Sequence, residues 1–442
     1  MFEVAVTRYE KPYNSLKKAI DLCDGFKRLT KDSKVYIKPN LVIWFKGVDF
    51  PKYGVLTTAR LIEDCVMLLK EYGVKDITIG EGAVELEKKS ESMVALAAKG
   101  MGLDILAERY GVKVKIVDVL KGSFVKVTVD DITLSLNKDV MESDFIIDMP
   151  VLKTHSQAKV SLGIKNLKGL INISSRKKCH NADLDKNLDY YMSKFTDMVQ
   201  PSLTITDGIY TIERGPIYNG KAHRSNIIIV SKDLISADLV GSTILGIDPA
   251  DIPYIKQAAA RKGRKCDLND IKILGGINIR NILQPHRWEF SQGESGELPL
   301  YFERPGIKGI RFPEQDKTIC TYCAVFINYV VMGILMAQNK DRSFNDIEIL
   351  DGKIQEPAGK HKYTLLVGQC QVKKNARNPL IKNCVKIKGC PPKKEDFLKA
   401  YKEVGIELPD DFIEWVDKSP ETLHMKKYID KPEFDNAFYN IK

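Results

Sequence analysis

Short apolar runs alternate with amphipathic helical patterns through the first two thirds of this sequence, and this alternation constrains its fold most. The segment "SKVYIKPN" is typical of a buried strand, and "TTARLIEDCVMLLKEYG" is typical of a helix that ends at Gly73. Further strands are predicted at "VKDITIGEG", "VKVKIVDV", "DFIIDMPVL", "SLTITDG" and "NIIIVS". Strands that alternate with helices pair in parallel and are covered by those helices. The sequence therefore predicts an α/β fold, with a mostly parallel twisted sheet and helices on both faces.

The alternation stops between Gln284 and Gly306, where Gly, Pro, Glu and Ser are concentrated. We take this stretch as a domain boundary, which gives an α/β domain over 1–283 and a second domain over 301–442. The second domain is predicted to contain a buried helix over 322–337, three short strands ("DIEIL", "YTLLVG", "CVKIKG") and helices near 393–405 and 410–417. This pattern predicts a smaller α+β domain, and five of the nine cysteines lie in it.

The composition is that of a soluble globular protein, with 44% hydrophobic and 29% charged residues. No apolar run reaches the roughly 20 residues that cross a bilayer, and "MFEVAVTRYE" lacks the features of a signal peptide. These observations predict a cytoplasmic protein without a membrane span. The formal charge of +10 comes from lysines spread along the chain, without the arginine and aromatic stripe of a nucleic-acid surface. Nucleic acid is therefore a poor candidate partner.

Polar side chains follow four of the predicted strands. They are Lys38 and Asn40 after the first strand, Glu81 and Gly82 after the second, Lys153 and His155 after the third, and Asp207 after the fourth. Ligands of parallel sheets bind at the carboxyl ends of the strands, because loops and helix amino termini converge there. We therefore expect these side chains to line one shared cleft that binds an anionic small molecule.

The residue types in this set suggest particular chemistry. Lys38 and Lys153 can hold a carboxylate or a phosphate, while Glu81 and Asp207 can bind Mg²⁺ or act as an acid/base pair. His155 can shuttle a proton or bind a metal. A lysine at a concave strand end needs an anion beside it, so we expect Glu81 or Asp207 to pair with Lys153 until a ligand replaces them. The segment "SLGIKNLKGL" is typical of a helix, which would place Lys165 and Lys168 three residues apart on one face, and we interpret Lys168 as part of a solvated face.

The polar strand ends belong to a longer series of sequence blocks. In order, the series contains "VYIKPNL", Thr57, "DITIGEG", "DFIIDMPVLKTH", "GIKNLKG", His180, "ITDGIYTIERGP" and the segment around Asp238. This series resembles the family known as domain of unknown function 362, whose members are prokaryotic proteins often described as iron–sulfur proteins. The resemblance implies shared-motif roles for Lys38, Asn40, Glu81, Lys153, His155, Lys165, Asn166, His180, Asp207 and Gly215. We add Thr57 and Gly82 as ligand-binding candidates. The family supplies no reaction, and the bacterial-ferredoxin cysteine run of many members is absent here.

The C-terminal cysteines indicate a metal centre. Cys320 and Cys323 form a C-x-x-C pair, and Cys370, Cys384 and Cys390 follow the predicted short strands. Zinc sites usually have a second close pair, which this sequence lacks. The segment "GCPPKKEDFLKA" also resembles part of the small subunits of complex I and nickel–iron hydrogenases, which implies that Cys390 is a ligand of a [4Fe–4S] cluster. We predict a [4Fe–4S] cluster on Cys320, Cys323, Cys370 and Cys390, with Cys384 as a substitute ligand and zinc as the alternative metal.

Together these features favour a cytoplasmic iron–sulfur protein, either a redox enzyme or an electron-transfer protein, that binds an anionic small molecule at the strand ends. The lysines near Cys390 form either a solvated face or a docking surface for an acidic electron-transfer partner. One alternative is a Mg²⁺-assisted enzyme for phosphate or carboxylate ligands, with a structural zinc or cluster. Another is a basic protein associated with nucleic acid.

Overall fold

The computed structural model describes residues 1–44, 47–48, 52–84, 92–111, 113–215, 220–314 and 317–442. The strands, in chain order, are β1 (Phe2–Arg8), β2 (Lys34–Pro39), β3 (Asp76–Glu81), β4 (Lys113–Asp118), β5 (Phe124–Val129), β6 (Ile132–Asn137), β7 (Phe145–Met149), β8 (Val151–His155), β9 (Lys159–Ser161), β10 (Leu203–Glu213), β11 (Lys221–Ser231), β12 (Ile271–Leu274), β13 (Lys308–Arg311), β14 (Ser343–Leu350), β15 (Tyr363–Val367) and β16 (Asn383–Ile387).

The helices, in chain order, are α1 (Asn14–Leu22), α2 (Ala59–Glu71), α3 (Met93–Met101), α4 (Leu106–Tyr110), α5 (Lys138–Met141), α6 (Gly163–Asn166), α7 (Ile173–Cys179), α8 (Leu188–Ser193), α9 (Phe195–Met198), α10 (Leu234–Ile244), α11 (Pro253–Arg261), α12 (Leu300–Glu303), α13 (Thr321–Met336), α14 (Gly368–Asn375), α15 (Lys394–Glu403) and α16 (Phe412–Ser419). Within the described residues, no helix combines the length and the apolar character that a membrane crossing needs.

The large sheet has the strand order β12-β1-β11-β10-β7-β2-β3-β4. Strands β10, β7, β2, β3 and β4 run parallel to one another. Strand β11 is antiparallel to both β10 and β1. Strands β5 and β6 form a separate antiparallel hairpin, as "SFVKVTVDDITLSL" predicts. The predicted fold class, a mostly parallel sheet in an α/β protein, is confirmed.

Helices cover both faces of this sheet because side chains along each strand alternate in direction. In β2, Val35 and Ile37 belong to the core beneath α1, α2 and α3, while Tyr36 belongs to the core on the opposite face. That second core contains Leu239 and Val240 of α10. The predicted strands therefore carry apolar residues on both faces, as buried parallel strands do.

Two strands extend beyond their predicted ends. Pro150 separates β7 from β8, and β8 continues in the same direction, pairing with β10 and, in antiparallel register, with β9. Lys153 and His155 thus lie in a strand that leaves the body of the sheet rather than in a loop. Strand β10 continues to Glu213, so the prediction that a strand ends at Asp207 is wrong.

The second sheet has the order β13-β14-β15-β16, and all of its strands are parallel. Its core contains residues of α13, α15 and α16, which confirms the predicted buried helix near 322–337. Two of its elements, β13 and α14, are not anticipated by the sequence pattern. Because the strands are parallel, the segments that follow β15 and β16 emerge at the same edge. Both segments carry cysteines.

Beyond residue 424 the chain returns to the large sheet. Tyr428 and Tyr439 belong to the same core as Tyr53, and the backbone N–H of Ile441 donates to the carbonyl of Met101 at 3.0 Å. The C-terminal segment is therefore packed against the first unit of the fold. The domain division at 284–306 stays a prediction.

Candidate functional site

A cavity of about 160 Å³ lies at the carboxyl ends of β2 and β3, between the large sheet and the C-terminal unit. Seven residues predicted for the site line it, namely Asn40, Glu81, Gly82, His155, Lys165, Asn166 and His180. The C-terminal unit contributes Ile319, Thr321 and Ala324. The structure therefore gathers distant sequence blocks around one space and places the cysteine-bearing helix α13 against it.

Helix α6 holds Lys165 and Asn166 at the wall of this cavity. The carboxylate of Asp238 accepts the backbone N–H groups of Gly163 and Ile164 at 2.7 and 3.0 Å, which fixes the first turn of the helix. The Asn166 side chain donates to Asp148 Oδ1 at 2.8 Å. These contacts are buried, and desolvation raises the pKa of Asp238 to about 7.

Lys38 is fully buried beneath the cavity. Its Nζ lies 2.9 Å from Glu81 Oε2 and donates to the Pro39 carbonyl at 2.7 Å and to Asn166 Oδ1 at 3.3 Å. All three N–H groups of the ammonium are thus directed at protein acceptors. The prediction that Lys38 holds the anionic ligand is therefore wrong, because its charge is already paired with Glu81.

Lys153 is also buried, with a side chain 2% exposed, but it has neutral partners. Its Nζ donates to Asn40 Oδ1 at 3.2 Å and to the Val55 carbonyl at 2.6 Å. Burial lowers the pKa of this amine to about 7. The predicted pairing of Lys153 with Glu81 or Asp207 is wrong, because each of those carboxylates has other partners.

Asp207 has a positioning role rather than a place in the cavity. Its carboxylate accepts the backbone N–H of Thr58 at 2.7 Å and its hydroxyl at 2.8 Å, which anchors the start of α2. Thr57 accepts the N–H of Asn40 at 2.8 Å and donates to the Met149 carbonyl. Gly215 adopts a positive φ of 87°, where a Cβ would lie 2.3 Å from the Phe290 ring. None of these three residues lines the cavity that the structure describes.

Lysine 153 should make stability depend on pH in a recognisable direction. Above pH 7 its buried amine is neutral, whereas the amine of the unfolded chain keeps its proton up to its ordinary pKa of 10.5. The unfolded state then binds more protons, so the free energy of unfolding should rise with pH between these values, by at most about 1.4 kcal/mol per pH unit. Urea unfolding at a series of pH values should show a smaller rise in Lys153→Met than in the wild type, because the lowered pKa values of Lys165 and Lys168 still contribute in the variant. The variant Lys126→Met, at an exposed position, should keep the wild-type slope. Parallel profiles for wild type and Lys153→Met would contradict the assignment.

The cavity wall is strongly cationic. Lys165 has neither an ion pair nor a hydrogen bond to any described residue, and desolvation together with neighbouring lysines lowers its pKa well below the usual range. Lys168 lies 2.5 Å from His180 Nε2, and burial lowers its pKa to about 8. The prediction of a solvated face for Lys168 is therefore wrong. Arg176 donates to the carbonyls of Gly82 and Gly169 at 2.7 and 2.9 Å, so its charge also lies at the wall.

The two histidines of the cavity have different tautomers. His155 Nδ1 accepts the backbone N–H of Gln157 at 3.2 Å, so the neutral ring carries its hydrogen on Nε2. His180 Nδ1 donates to the Lys317 carbonyl at 2.7 Å, and its Nε2 accepts from Lys168. Burial, and then the lysine charges, lower the pKa of both rings well below the usual range. His155 thus offers an N–H donor, which differs from the predicted proton shuttle.

The C-terminal unit brings four cysteines together at the carboxyl edge of its sheet. Cys320 precedes α13 and Cys323 lies in its first turn, Cys370 is on α14 after β15, and Cys390 follows β16. Burial raises the pKa of the Cys323 thiol, and the thiols of Cys320, Cys390 and Cys370 raise it further. Cys384, on β16, has Lys386 and Glu403 as charged neighbours instead. The three other cysteines favoured by the sequence therefore act on Cys323, whereas Cys384 is not among the groups that act on it.

Two glycines keep space open beside these thiols. Gly368 has a φ of 84°, and a Cβ on it would lie 3.2 Å from Cys323 Sγ. Gly389 has a φ of 126°, and a Cβ there would lie 2.5 Å from the Pro391 carbonyl oxygen. The N–H of Gln369 donates to the Gly389 carbonyl at 2.8 Å, which joins the two cysteine loops. Across the described ranges, no three His, Cys, Asp or Glu side chains are grouped tightly enough to hold a single metal ion.

The cavity and the cysteine group share a boundary. Gln157 Nε2 donates to the Ile319 carbonyl at 3.1 Å, immediately before Cys320. Lys177 Nζ lies 3.8 Å from Cys390 Sγ. The Cys320 side chain is also among the groups that act on the pKa of Lys168. Arg176 and Lys177 of "SSRKKCH" thus belong to the site, although their sequence pattern is equally typical of a solvated helix.

Three known proteins are similar to this chain in sequence or in structure. A thylakoid-associated protein of Synechocystis is 32% identical over 122 residues, which span 27% of this chain and 38% of that protein's length. The lactate racemase apoprotein from Thermoanaerobacterium thermosaccharolyticum is 14% identical, with a TM-score of 0.32 and coverage of 55% of this chain and 57% of that chain. A Thermotoga maritima protein is 9% identical, with a TM-score of 0.35 and coverage of 95% and 94%. These structural likenesses are too weak to support a function.

The family model described as Domain of unknown function (DUF362) matches residues 35–243. This range contains β2, β3, β7, β8, α6 and α7, which carry most of the cavity wall. Residues 35–243 of this chain therefore match the family that its sequence blocks predict.

Proposed function

We propose that this protein binds a small anionic molecule in the cavity and exchanges electrons with it through a [4Fe–4S] cluster on Cys320, Cys323, Cys370 and Cys390. The observation that carries the proposal is the position of Lys165. Its ammonium is desolvated at the cavity wall and has no carboxylate partner among the described residues. An unpaired desolvated cation is costly, and a bound anion would remove that cost.

The polarity of the wall defines the ligand class. Lys165, Lys168 and the Nε2–H of His155 are donors, whereas the carboxylate of Glu81 is already paired with Lys38. A ligand that satisfies this wall must be rich in acceptors, which describes a carboxylate or a phosphate. The volume of about 160 Å³ corresponds to about five water molecules at ~30 Å³ each, so the ligand is a small molecule.

We assign a cluster rather than a single zinc ion to these cysteines. Four thiolates on one zinc ion stand about 3.8 Å apart at Zn–S bonds of about 2.3 Å, and such a tight grouping is absent from the described residues. A cluster lies between its cysteines and holds them farther apart, and when bound it supplies electrons one at a time. The charges of Lys177 and Lys353, together with the amino terminus of α13, would offset the negative charge of the thiolates.

The Mg²⁺-assisted alternative has less support. Within the described residues, Glu81 is the one carboxylate that lines the cavity, and it is bound to Lys38. Magnesium is bound by carboxylate and other oxygen ligands, and this wall does not present them. No observation favours that reaction over electron transfer.

Anion binding should depend on Lys165. Replacing Lys165 with methionine should weaken the binding of inorganic phosphate or of two- to four-carbon carboxylates by about 10- to 100-fold, because a charged hydrogen bond contributes about 1.5–3 kcal/mol. Isothermal titration of anaerobically purified protein measures this change. The variant Lys126→Met, at an exposed position on β5, is the matched control and should bind as the wild type does. Equal affinities for the wild type and Lys165→Met would show that the anion does not bind at Lys165, which would refute the proposal.

A further inference from the structure

The cysteine group has two different sides. Cys320 is 9% exposed, and its neighbours Ile319, Thr321 and Ala324 line the cavity. Cys370 and Cys390 are exposed to solvent. Electrons that reach the exposed pair would thus have the cavity beside another member of the same group, Cys320.

Lysines surround the exposed side. Lys177 approaches Cys390 Sγ at 3.8 Å, Lys388 precedes Cys390 by two positions, and Lys393 follows it by three. Lys373 lies on α14 with Cys370, and its charge acts on that thiol. These four lysines are exposed, and none has an ion pair with another described residue. The carboxylates nearest in sequence are Glu395 and Asp396, in the first turn of α15.

We infer that this exposed lysine-rimmed edge is the docking surface for an acidic one-electron carrier protein. The inference rests on the proposed function, since the carrier would deliver electrons to the cluster. An unpaired patch of one sign attracts a partner of the opposite sign and accelerates its association at low ionic strength. In each encounter the reduced carrier, an acidic iron–sulfur or flavin protein, would lose one electron, and the cluster that Cys320, Cys323, Cys370 and Cys390 would hold would accept it. No covalent bond forms or breaks.

Charge reversal tests the surface in the holoprotein. In the variant Lys388→Glu/Lys393→Glu, the second-order rate constant for cluster reduction by a reduced acidic plant-type ferredoxin should fall at least tenfold at low salt. The control Lys121→Glu/Lys126→Glu makes the same change in net charge at exposed positions near the β5–β6 hairpin, and its rate should fall less than twofold. Added salt should slow the wild type and the control but change the Lys388→Glu/Lys393→Glu variant little.

A binding measurement separates this inference from the proposed function. Oxidised ferredoxin should bind the purified wild-type protein, and should bind the Lys388→Glu/Lys393→Glu variant at least tenfold more weakly, whether or not the cluster is intact. A protein without a cluster that still shows this difference would refute the redox proposal and leave the docking surface standing. Equal binding by both double variants would overturn the surface. Displacement of ferredoxin by anionic phospholipid vesicles at low lipid concentration would also overturn the inference, because the lysines would then bind anionic surfaces in general.

Discussion

Replacing Cys390 with serine should remove essentially all cluster iron from the protein. Cys390 lies between Gly389 and Pro391. Gly389 has a positive φ that residues with a side chain rarely adopt, so this glycine fixes the backbone that positions Cys390. A serine hydroxyl in that position is a poor iron ligand beside thiolates. Iron and sulfide analysis of anaerobically purified protein, with the absorbance spectrum, measures the loss.

Cysteine 384 provides the matched control. Cys384→Ser should keep the iron content of the wild type, because that side chain is on β16 with Lys386 and Glu403 as its charged neighbours. Cys390 is exposed, so its replacement should leave the core around Ile387 and Phe397 intact and the circular dichroism unchanged. Colourless wild-type protein with one zinc per chain would refute the cluster. Full iron in Cys390→Ser, with loss in Cys384→Ser, would exchange their roles.

The convergence of distant polar residues follows from strand direction, which the sequence pattern conveys. Asn40, Glu81 and His155 lie far apart in the chain, yet the alternation of strands and helices predicts a parallel sheet whose carboxyl ends meet. The same logic applies to Cys370 and Cys390, which follow neighbouring parallel strands. Periodicity alone does not give the direction of β11, because a buried strand has the same residue pattern in either orientation.

The sequence does not predict which lysines form ion pairs inside the protein and which face the cavity. Lys38 and Lys165 both follow apolar segments, but Lys38 meets Glu81 inside the protein whereas Lys165 faces the cavity. This difference depends on side-chain partners from separate elements, which local patterns do not encode. The tautomer of His155 likewise depends on one backbone N–H, that of Gln157. Asp207 was misplaced because Gly208 suggests a turn, whereas β10 continues through it.

Breaking the buried Lys38–Glu81 pair should have the largest effect on stability. The two side chains are 0% and 5% exposed, and Glu81 Oε2 also accepts the backbone N–H of Leu41 at 3.0 Å. In Lys38→Met the carboxylate would remain buried without its cation, and the carbonyl of Pro39 would lose a donor. Removing one member of such a pair costs about 3–5 kcal/mol. Urea unfolding at pH 7 should show this decrease in the free energy of unfolding.

The double variant Lys38→Met/Glu81→Leu tests the cause of that loss. It removes both charges together, so most of the lost stability should return, because an apolar pair of similar volume avoids the desolvation cost of two ions. The exposed pair Lys17–Asp21 is the matched comparison, with side chains 49% and 62% exposed. Solvent screens that pair, and Lys17→Met should change the free energy of unfolding by less than about 0.5 kcal/mol. If the double variant were less stable than Lys38→Met, Glu81 would stabilise the fold even without Lys38, and an unpaired carboxylate would not be the cause of the loss. The hydrogen bonds that Glu81 accepts from the backbone N–H groups of Leu41 and Gly82 would then account for its contribution.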